Sequence, residues 1–380
     1  MVDYIRLFDK FIELIDWKTL QYSAFKLNTD YKVSKFFTHE HLKTMIYYHL
    51  QQKDSLREIR DCTSLSPRLK EIVKSVSLST LSHHNKNRNF EVFLPVLNEL
   101  IARALNTGSM HEIFKKFGPV KLIDSTTISM CLTFYNWALF RSTKAGLKIH
   151  TRFDLNMGIP DAFAVTNASA SDRSKMDELI TQKHCTYVFD KGYNDYERFD
   201  HYTQEEKYFV TRLKDNAITK EIRELKVSYS EEKLLDTGTK IIYDKVVKLG
   251  STYTYQTKQE YRIIKIVDSK GKELIFVTNI EDLLSEEIAW LYKKRWQIEL
   301  FFKWIKQNLK FKDMLGHSLN AVMIQIITGI MTFVMLKIIE QLVPKGYGFI
   351  EIIRAIRTNF LEIYDKTTFS WKILFKLTDG

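Results

Sequence analysis

Cysteine is scarce: Cys62, Cys131 and Cys185 are the only three in 380 residues, and they lie far apart. An odd, scattered set excludes a disulfide framework and a zinc knuckle and fits a reducing compartment. The close pairs His39/His41 and His83/His84 have no cysteine at metal spacing beside them and read as polar helix-surface residues. The first residues, Met-Val-Asp-Tyr-Ile-Arg, lack a basic stretch followed by an apolar one, so no signal peptide is expected. A long hydrophobic run is missing too. The most apolar stretch, Ala321–Leu336, is short for a membrane span and is broken by Gln325, Thr328 and Thr332. A buried core helix, and no membrane, is expected there.

What is present is charge, tilted to one sign. There are 57 Lys and Arg against 46 Asp and Glu, a formal net charge of +11. That balance favours a polyanionic partner, nucleic acid first. The apolar share of 45% is enough for a sizeable core, and the length suggests two or three domains.

Residues 1–116 carry few turn signals and read as helix, with Asp54 or Ser55 and Ser79-Thr80 as caps. At Gly118-Pro119 the character changes. Val120–Ile123 is a short apolar run ending in Asp124, Leu147–Leu155 alternates, and Ala162–Thr166 follows a turn at Asn156–Pro160. A helix over Ser174–Gln182, a strand Thr186–Phe189 ending at Asp190, a helix near 194–206 and a strand Tyr208–Lys214 complete a β-β-β-α-β-α-β order. Residues 215–284 alternate β-branched, aromatic and charged residues between Gly238, Gly250 and Gly271, which predicts an all-β insertion. A helix starting at Ser285 and running to about Lys310 comes next, then an apolar helix over about 319–341 and an amphipathic one over about 349–364.

The helix after the insertion carries the densest chemistry. At about 100° per residue, Tyr292, Arg295, Glu299, Lys303 and Lys306 share an arc of roughly 80° on an otherwise apolar helix. Taken alone, the stripe is equally well a salt-bridged face, since Glu299–Lys303 is a good i,i+4 pair. Asp124 and Asp190, each closing a strand, offer Glu299 partners, because ligand sites in open α/β sheets lie beyond strand ends. Three ionised carboxylates at one point repel one another. They make sense around hard divalent cations, two of which can clamp the attacking and leaving oxygens of a phosphoryl transfer.

These residues resemble the DDE transposases with a ribonuclease-H-like core, in particular the IS-four insertion-sequence family, whose signature is Tyr-x2-Arg-x3-Glu-x6-Lys. Here that signature is Tyr292, Arg295, Glu299 and Lys306, with every spacing kept. Ile-Asp124-Ser-Thr-Thr, Phe-Asp190-Lys-Gly-Tyr and Phe-Val-Thr-Arg212-Leu-Lys214 resemble the family's first-Asp, second-Asp and following-strand motifs. The resemblance implies an α/β (α+β) fold: a ribonuclease-H-like mixed sheet flanked by helices, with an all-β insertion and a helical N-terminal domain. Its parts are an end-binding region 1–116, a catalytic core over 117–214 and 285–342, the insertion 215–284, and a helical tail 343–380. It further implies Asp124, Asp190 and Glu299 as ligands of two Mg²⁺ ions, with Mn²⁺ the alternative. Tyr292, Arg295, Lys303, Lys306, Arg212 and Lys214 then contact DNA. The partners are double-stranded DNA, both terminal inverted repeats and target, and a second copy in the synaptic complex. The setting is the bacterial cytoplasm, beside the nucleoid. Rivals are a ribonuclease-H-like nuclease or domesticated recombinase, and a DNA-binding protein without activity. Lys144, Lys148 and His150 line the groove or a solvated edge equally well. Trp296 is expected in the core, and Asp154, Asp161 and Asp172 in turns and on the surface.

Overall fold

The structure, a computed structural model, describes residues 3–108, 112–141, 144–229, 239–309, 313–344 and 346–376. The expected turn at Gly238 and helix end at Lys310 lie outside the described residues. In chain order the elements begin with β1 (Tyr4–Arg6), α1 (Leu7–Ile12), α2 (Trp17–Lys26), α3 (Thr38–Leu50), α4 (Leu56–Leu65), α5 (Pro67–Lys70), α6 (Leu78–Asn87), α7 (Leu94–Thr107) and α8 (Glu112–Lys115). Next come β2 (Val120–Met130), β3 (Leu139–Arg141), β4 (Lys144–Asp154), β5 (Ile159–Asn167), α9 (Met176–Leu179), β6 (Thr186–Phe189), α10 (Tyr196–Gln204) and β7 (Tyr208–Arg212). The remainder is β8 (Thr219–Leu225), β9 (Lys240–Leu249), β10 (Tyr261–Val267), β11 (Glu273–Thr278), α11 (Ser285–Lys294), α12 (Trp296–Asn308), α13 (Leu319–Leu342), α14 (Phe349–Thr358), β12 (Ile363–Asp365) and α15 (Ile373–Lys376). The chain forms two compact units: one of residues 1–109, 128–146 and 302–380, the other of 110–127 and 147–301.

The first unit is helical around α13, which packs on α3, α6, α7 and α14. Serine hydroxyls start several of its helices, Ser55 as the sequence suggests. Ser55 Oγ accepts from the Glu58 N–H at 3.1 Å and Ser318 Oγ from that of Ala321 at 3.2 Å, filling donors a helix start leaves open. The cap of α6 is Ser77, two residues before the expected Ser79. By length and composition α13 is apolar enough to cross a membrane, but 89% of its most apolar window is buried inside the protein. The polar residues that interrupt it are satisfied there. Gln325 donates to the Tyr48 hydroxyl at 3.0 Å and accepts from the Leu315 N–H at 2.8 Å, and Thr328 meets His49 Nε2 at 3.0 Å. An unpaired amide in that position would cost far more than the bond returns. A short strand the sequence does not announce, β1, pairs antiparallel with β12.

The second unit holds most of a mixed sheet ordered β3-β4-β2-β6-β7-β11-β10-β9-β8, with β5 also pairing β4. The pairs β2–β6 and β6–β7 are parallel, whereas β4–β5 and every pair from β7 outward are antiparallel. The five strands β5-β4-β2-β6-β7 form the expected ribonuclease-H-like mixed sheet. The insertion extends that sheet, because β11 pairs with β7. Parallel strands must be covered on both faces, and β6 is buried along its whole length. Tyr187, Phe189, Phe199, Phe209 and Tyr261 fill one core around it.

Two buried polar groups lock the insertion to the rest. Asp200 on α10 accepts from the Tyr255 and Tyr261 hydroxyls and from the Lys258 and Gln259 N–H groups, at 2.7–3.0 Å. Arg262 on β10 grips Asp244 on β9 at 2.6–3.1 Å and reaches the Leu283 carbonyl at 2.5 Å, and Ser285 donates to the same Asp244 at 2.7 Å. The start of α11 is therefore fixed to the insertion.

Candidate active site

The site grows from two neighbouring parallel strands, β2 and β6. Ile123 of β2 stands in register with Phe189 of β6, so Asp124 and Asp190 sit at the same level; Asp190 follows the end of β6, but Asp124 lies within β2, which continues to Met130 instead of closing there as expected. The simplest alternative for Asp190, a helix cap, does not hold: it precedes a short 3-10 turn, Lys191–Tyr193, without its side chain capping it. The Asp190 carboxylate instead accepts a 3.1 Å hydrogen bond from the Tyr292 hydroxyl. The Tyr292 ring lies 4.6 Å from that of Phe276 on β11, and α11 packs against β6 and β7.

The signature helix is not one helix. It divides at Arg295, between α11 and α12, and Ser285 is its first helical residue, with Leu284 at the cap position. From this joint the Arg295 guanidinium reaches two carboxylates, Glu299 Oε1 at 2.5 Å and Asp124 Oδ2 at 3.4 Å. Asp124 Oδ1 accepts from the Ser125 N–H at 2.8 Å. Burial pushes the Asp124 carboxyl up to about 6, with the like charges of Glu299 and Asp190 adding to it. The Ser125 N–H and Arg295 pull the other way. Burial also works against the charge of Arg295, but Tyr292, Asp124 and Glu299 outweigh it and raise the pKa of the guanidinium. Tyr292 is raised by burial and by Asp190.

Asp124, Asp190, Glu299, Tyr292 and Arg295 are thus brought together within the second unit. Lys303 and Lys306 lie farther along α12, in the first unit, Lys303 exposed and Lys306 partly buried. Arg212 ends β7 and donates to Asp215 at 3.4 Å. Lys214 is exposed and, with Asp190, Lys191, Gly192, Asp215 and Asn216, lines an open hollow of about 470 Å³. Trp296 is not in the core: it is 57% exposed. Asp154 and Asp161 are not surface residues either. Both accept from the buried Lys121 at 2.6 Å, and Arg152 joins Asp161 at 2.8 Å.

Asp172, expected as a plain surface residue, is wired to the site. Its Oδ1 accepts from the Ser125 hydroxyl at 2.6 Å and from Lys148 Nζ at 2.9 Å. Burial pushes its pKa up, but those two donors outweigh it and hold the carboxyl below its ordinary value. A serine directly after the first aspartate was the one sequence signal for this link. His150 is buried and meets Thr166 at 2.9 Å rather than a groove.

Among the described residues no three His, Cys, Asp or Glu side chains are drawn together closely enough to hold a metal ion; the Arg295 guanidinium stands between Asp124 and Glu299. The donor chemistry nevertheless suits a hard divalent cation. It is all carboxylate oxygen, and the Asp124 carboxyl, raised first by burial and then by the charges of Glu299 and Asp190, would be relieved by a bound cation.

Residues 115–335 match the model of the transposase DDE domain, and residues 5–72 match a domain of unknown function. The chain is 27% identical over 289 residues to a probable transposase of insertion sequence element IS5377 of Geobacillus stearothermophilus, covering 75% of this chain and 74% of that protein. It is 29% identical over 283 residues, 72% of this chain and 75% of that protein, to a Synechocystis protein named as the transposase of insertion sequence element IS4SA. A Sinorhizobium fredii protein named as transposase y4zB is 31% identical over 223 residues, 59% of this chain and 61% of that protein. With the domain match spanning more than half the chain, over the segment that holds Asp124, Asp190 and Glu299, this protein belongs to the DDE transposases of insertion sequences, metal-dependent enzymes that cleave and transfer DNA.

Proposed function

We propose that Asp124, Asp190 and Glu299 hold two Mg²⁺ ions, with Mn²⁺ the alternative, and that the site cuts the ends of its own element. One observation carries this reading. The signature residues meet both aspartates: Tyr292 on Asp190, and Arg295 on Asp124 and Glu299. When bound, the ions supply Lewis-acid stabilisation of the reacting phosphate and a nucleophile at neutral pH.

The chain's own residues do the rest. Arg295 carries a rigid fork of donors suited to a phosphate, and it stands where a scissile phosphate must come. Lys214, beside the hollow next to Asp190, offers the strand a second cation. Lys303, Lys306 and Arg212 extend the contact to neighbouring phosphates, and the helical region before residue 117 binds the terminal inverted repeats. Water attacks a phosphodiester at the element end and leaves a 3′-hydroxyl. That hydroxyl then attacks a target phosphodiester, so one bond forms as another breaks. Two ends handled together call for a homodimer, and the work places the protein in the cytoplasm beside the nucleoid.

The test is incubation of the full chain with duplexes carrying the inverted repeats that border its gene, a supercoiled target plasmid and Mg²⁺. A transposase yields both nicked ends and joined product. A ribonuclease-H-like nuclease yields nicks without joining, and a DNA-binding protein without activity yields neither.

A further inference from the structure

We propose that Asp172 and Lys148 act through Ser125 as positioning residues for the Asp124 carboxylate, tying it to a fixed orientation from outside the signature. The inference rests on the assignment of Asp124 to the metal-binding group.

The path is continuous. The Ser125 N–H donates to Asp124 Oδ1 at 2.8 Å while the Ser125 hydroxyl donates to Asp172 Oδ1 at 2.6 Å. Lys148 Nζ donates to that same Oδ1 at 2.9 Å and to the Ala170 carbonyl at 2.7 Å. One residue thus faces the reacting centre with its backbone and the support with its side chain. The segment after β5, which carries Ala170 and Asp172, is bound by Lys148 to β4, the neighbour of β2 in the sheet. Asp172 contacts none of Asp124, Asp190 or Glu299 by hydrogen bond among the described residues.

Two features separate this from a stability device. The Asp172 side chain is 44% exposed, so its bonds add little to folding. The charge of Lys148, which is 13% exposed, is spent on Asp172 and the Ala170 carbonyl rather than offered to a groove. A tie that ends on the residue beside Asp124 fits orientation. Partners that orient a ligating carboxylate change metal affinity or activity by about 10–100-fold when removed.

The experiment uses the full chain with Mn²⁺ as the probe, measured by isothermal titration calorimetry. Melting temperature and cleavage kinetics on inverted-repeat duplexes are recorded beside it. Ser125→Ala and Asp172→Ala each lower Mn²⁺ affinity and kcat by about 10–100-fold. KM for DNA stays unchanged and Tm moves by no more than about 4 °C. Ser125→Thr, which keeps the hydroxyl, recovers most of both losses. The double variant is no worse than the poorer single, as expected of residues acting as one unit. Wild-type affinity and kcat in both alanine variants overturn the proposal, and so does a loss that tracks a fall in Tm of ten degrees or more. Asp124→Ala separates this from the parent reading: if it retains Mn²⁺ binding and cleavage, the metal assignment itself fails. If it loses both while Ser125→Ala keeps both, only the positioning role falls.

Discussion

Tyr292 and Asp190 stand 102 residues apart in the chain and meet through a 3.1 Å hydrogen bond. The bond joins the first residue of the signature, near the end of α11, to the aspartate that follows β6. Tyr292→Phe keeps the ring on Phe276 and removes only the donor to a charged acceptor, which is worth about 1.5–3 kcal/mol. Cleavage is expected to fall roughly tenfold or more, with Tm almost unmoved. Kinetics at wild-type level would make the hydroxyl incidental.

Arg295 is the other link, and Lys is no substitute for it. Arg295→Ala leaves Asp124 and Glu299 without their shared counter-charge and takes a fork of donors from the DNA. We expect weaker end binding, a salt slope shallower by about one, and a deeper loss of cleavage than in Tyr292→Phe. Arg295→Lys is expected to restore part of the binding and little of the cleavage, because an ammonium cannot serve two carboxylates or a phosphate bidentately. Full recovery in Arg295→Lys would reduce the role to charge alone.

The Asp124 carboxyl predicts a stability gain on losing function. Its folded pKa is about 6 against an ordinary 3.8, so the folded state binds the proton more tightly than the unfolded one. Stability therefore falls as pH rises from about 4 through 6, by up to about 3 kcal/mol for this group. Asp124→Asn is expected to melt higher than wild type in EDTA at pH 8, with the difference shrinking toward pH 4. A variant that melts lower at pH 8 would show that Arg295 compensates the burial fully.

The insertion is held by a pair that tolerates no halving. Arg262 and Asp244 are 7% and 0% exposed at their side chains, and removing one partner of such a pair costs about 3–5 kcal/mol. Arg262→Ala should lower the urea midpoint strongly and, by freeing the start of α11, lower cleavage as well. Arg262→Met with Asp244→Leu should cost less than Arg262→Ala alone. The opposite order would mean that the charges themselves fold the insertion.

Much of this was legible in the chain because the relevant residues interrupt strong local patterns. Asp124 and Asp190 each end an apolar run, and the Tyr292–Lys306 spacing sits on one face of an apolar helix. What sequence does not carry is pairing. Nothing local says that β11 joins β7 and makes the insertion a continuation of the sheet. Nor does any glycine or proline announce the division at Arg295. Helical arithmetic sets Trp296 at the margin of the polar stripe; the expectation that it packs in the core followed its apolar bulk, and it is exposed instead. Asp172, Asp154 and Asp161 looked alike in sequence; their partners Ser125, Lys148 and Lys121 distinguish them, and those contacts span 33–47 residues or 24 residues of chain.

The most direct measurement is Mg²⁺-dependent cleavage of inverted-repeat duplexes by wild type, Asp124→Ala, Asp190→Ala and Glu299→Ala, with Tm recorded for each. The account predicts folded proteins that bind the duplex and do not cut it. Cleavage at the wild-type rate by any one of the three variants would contradict it.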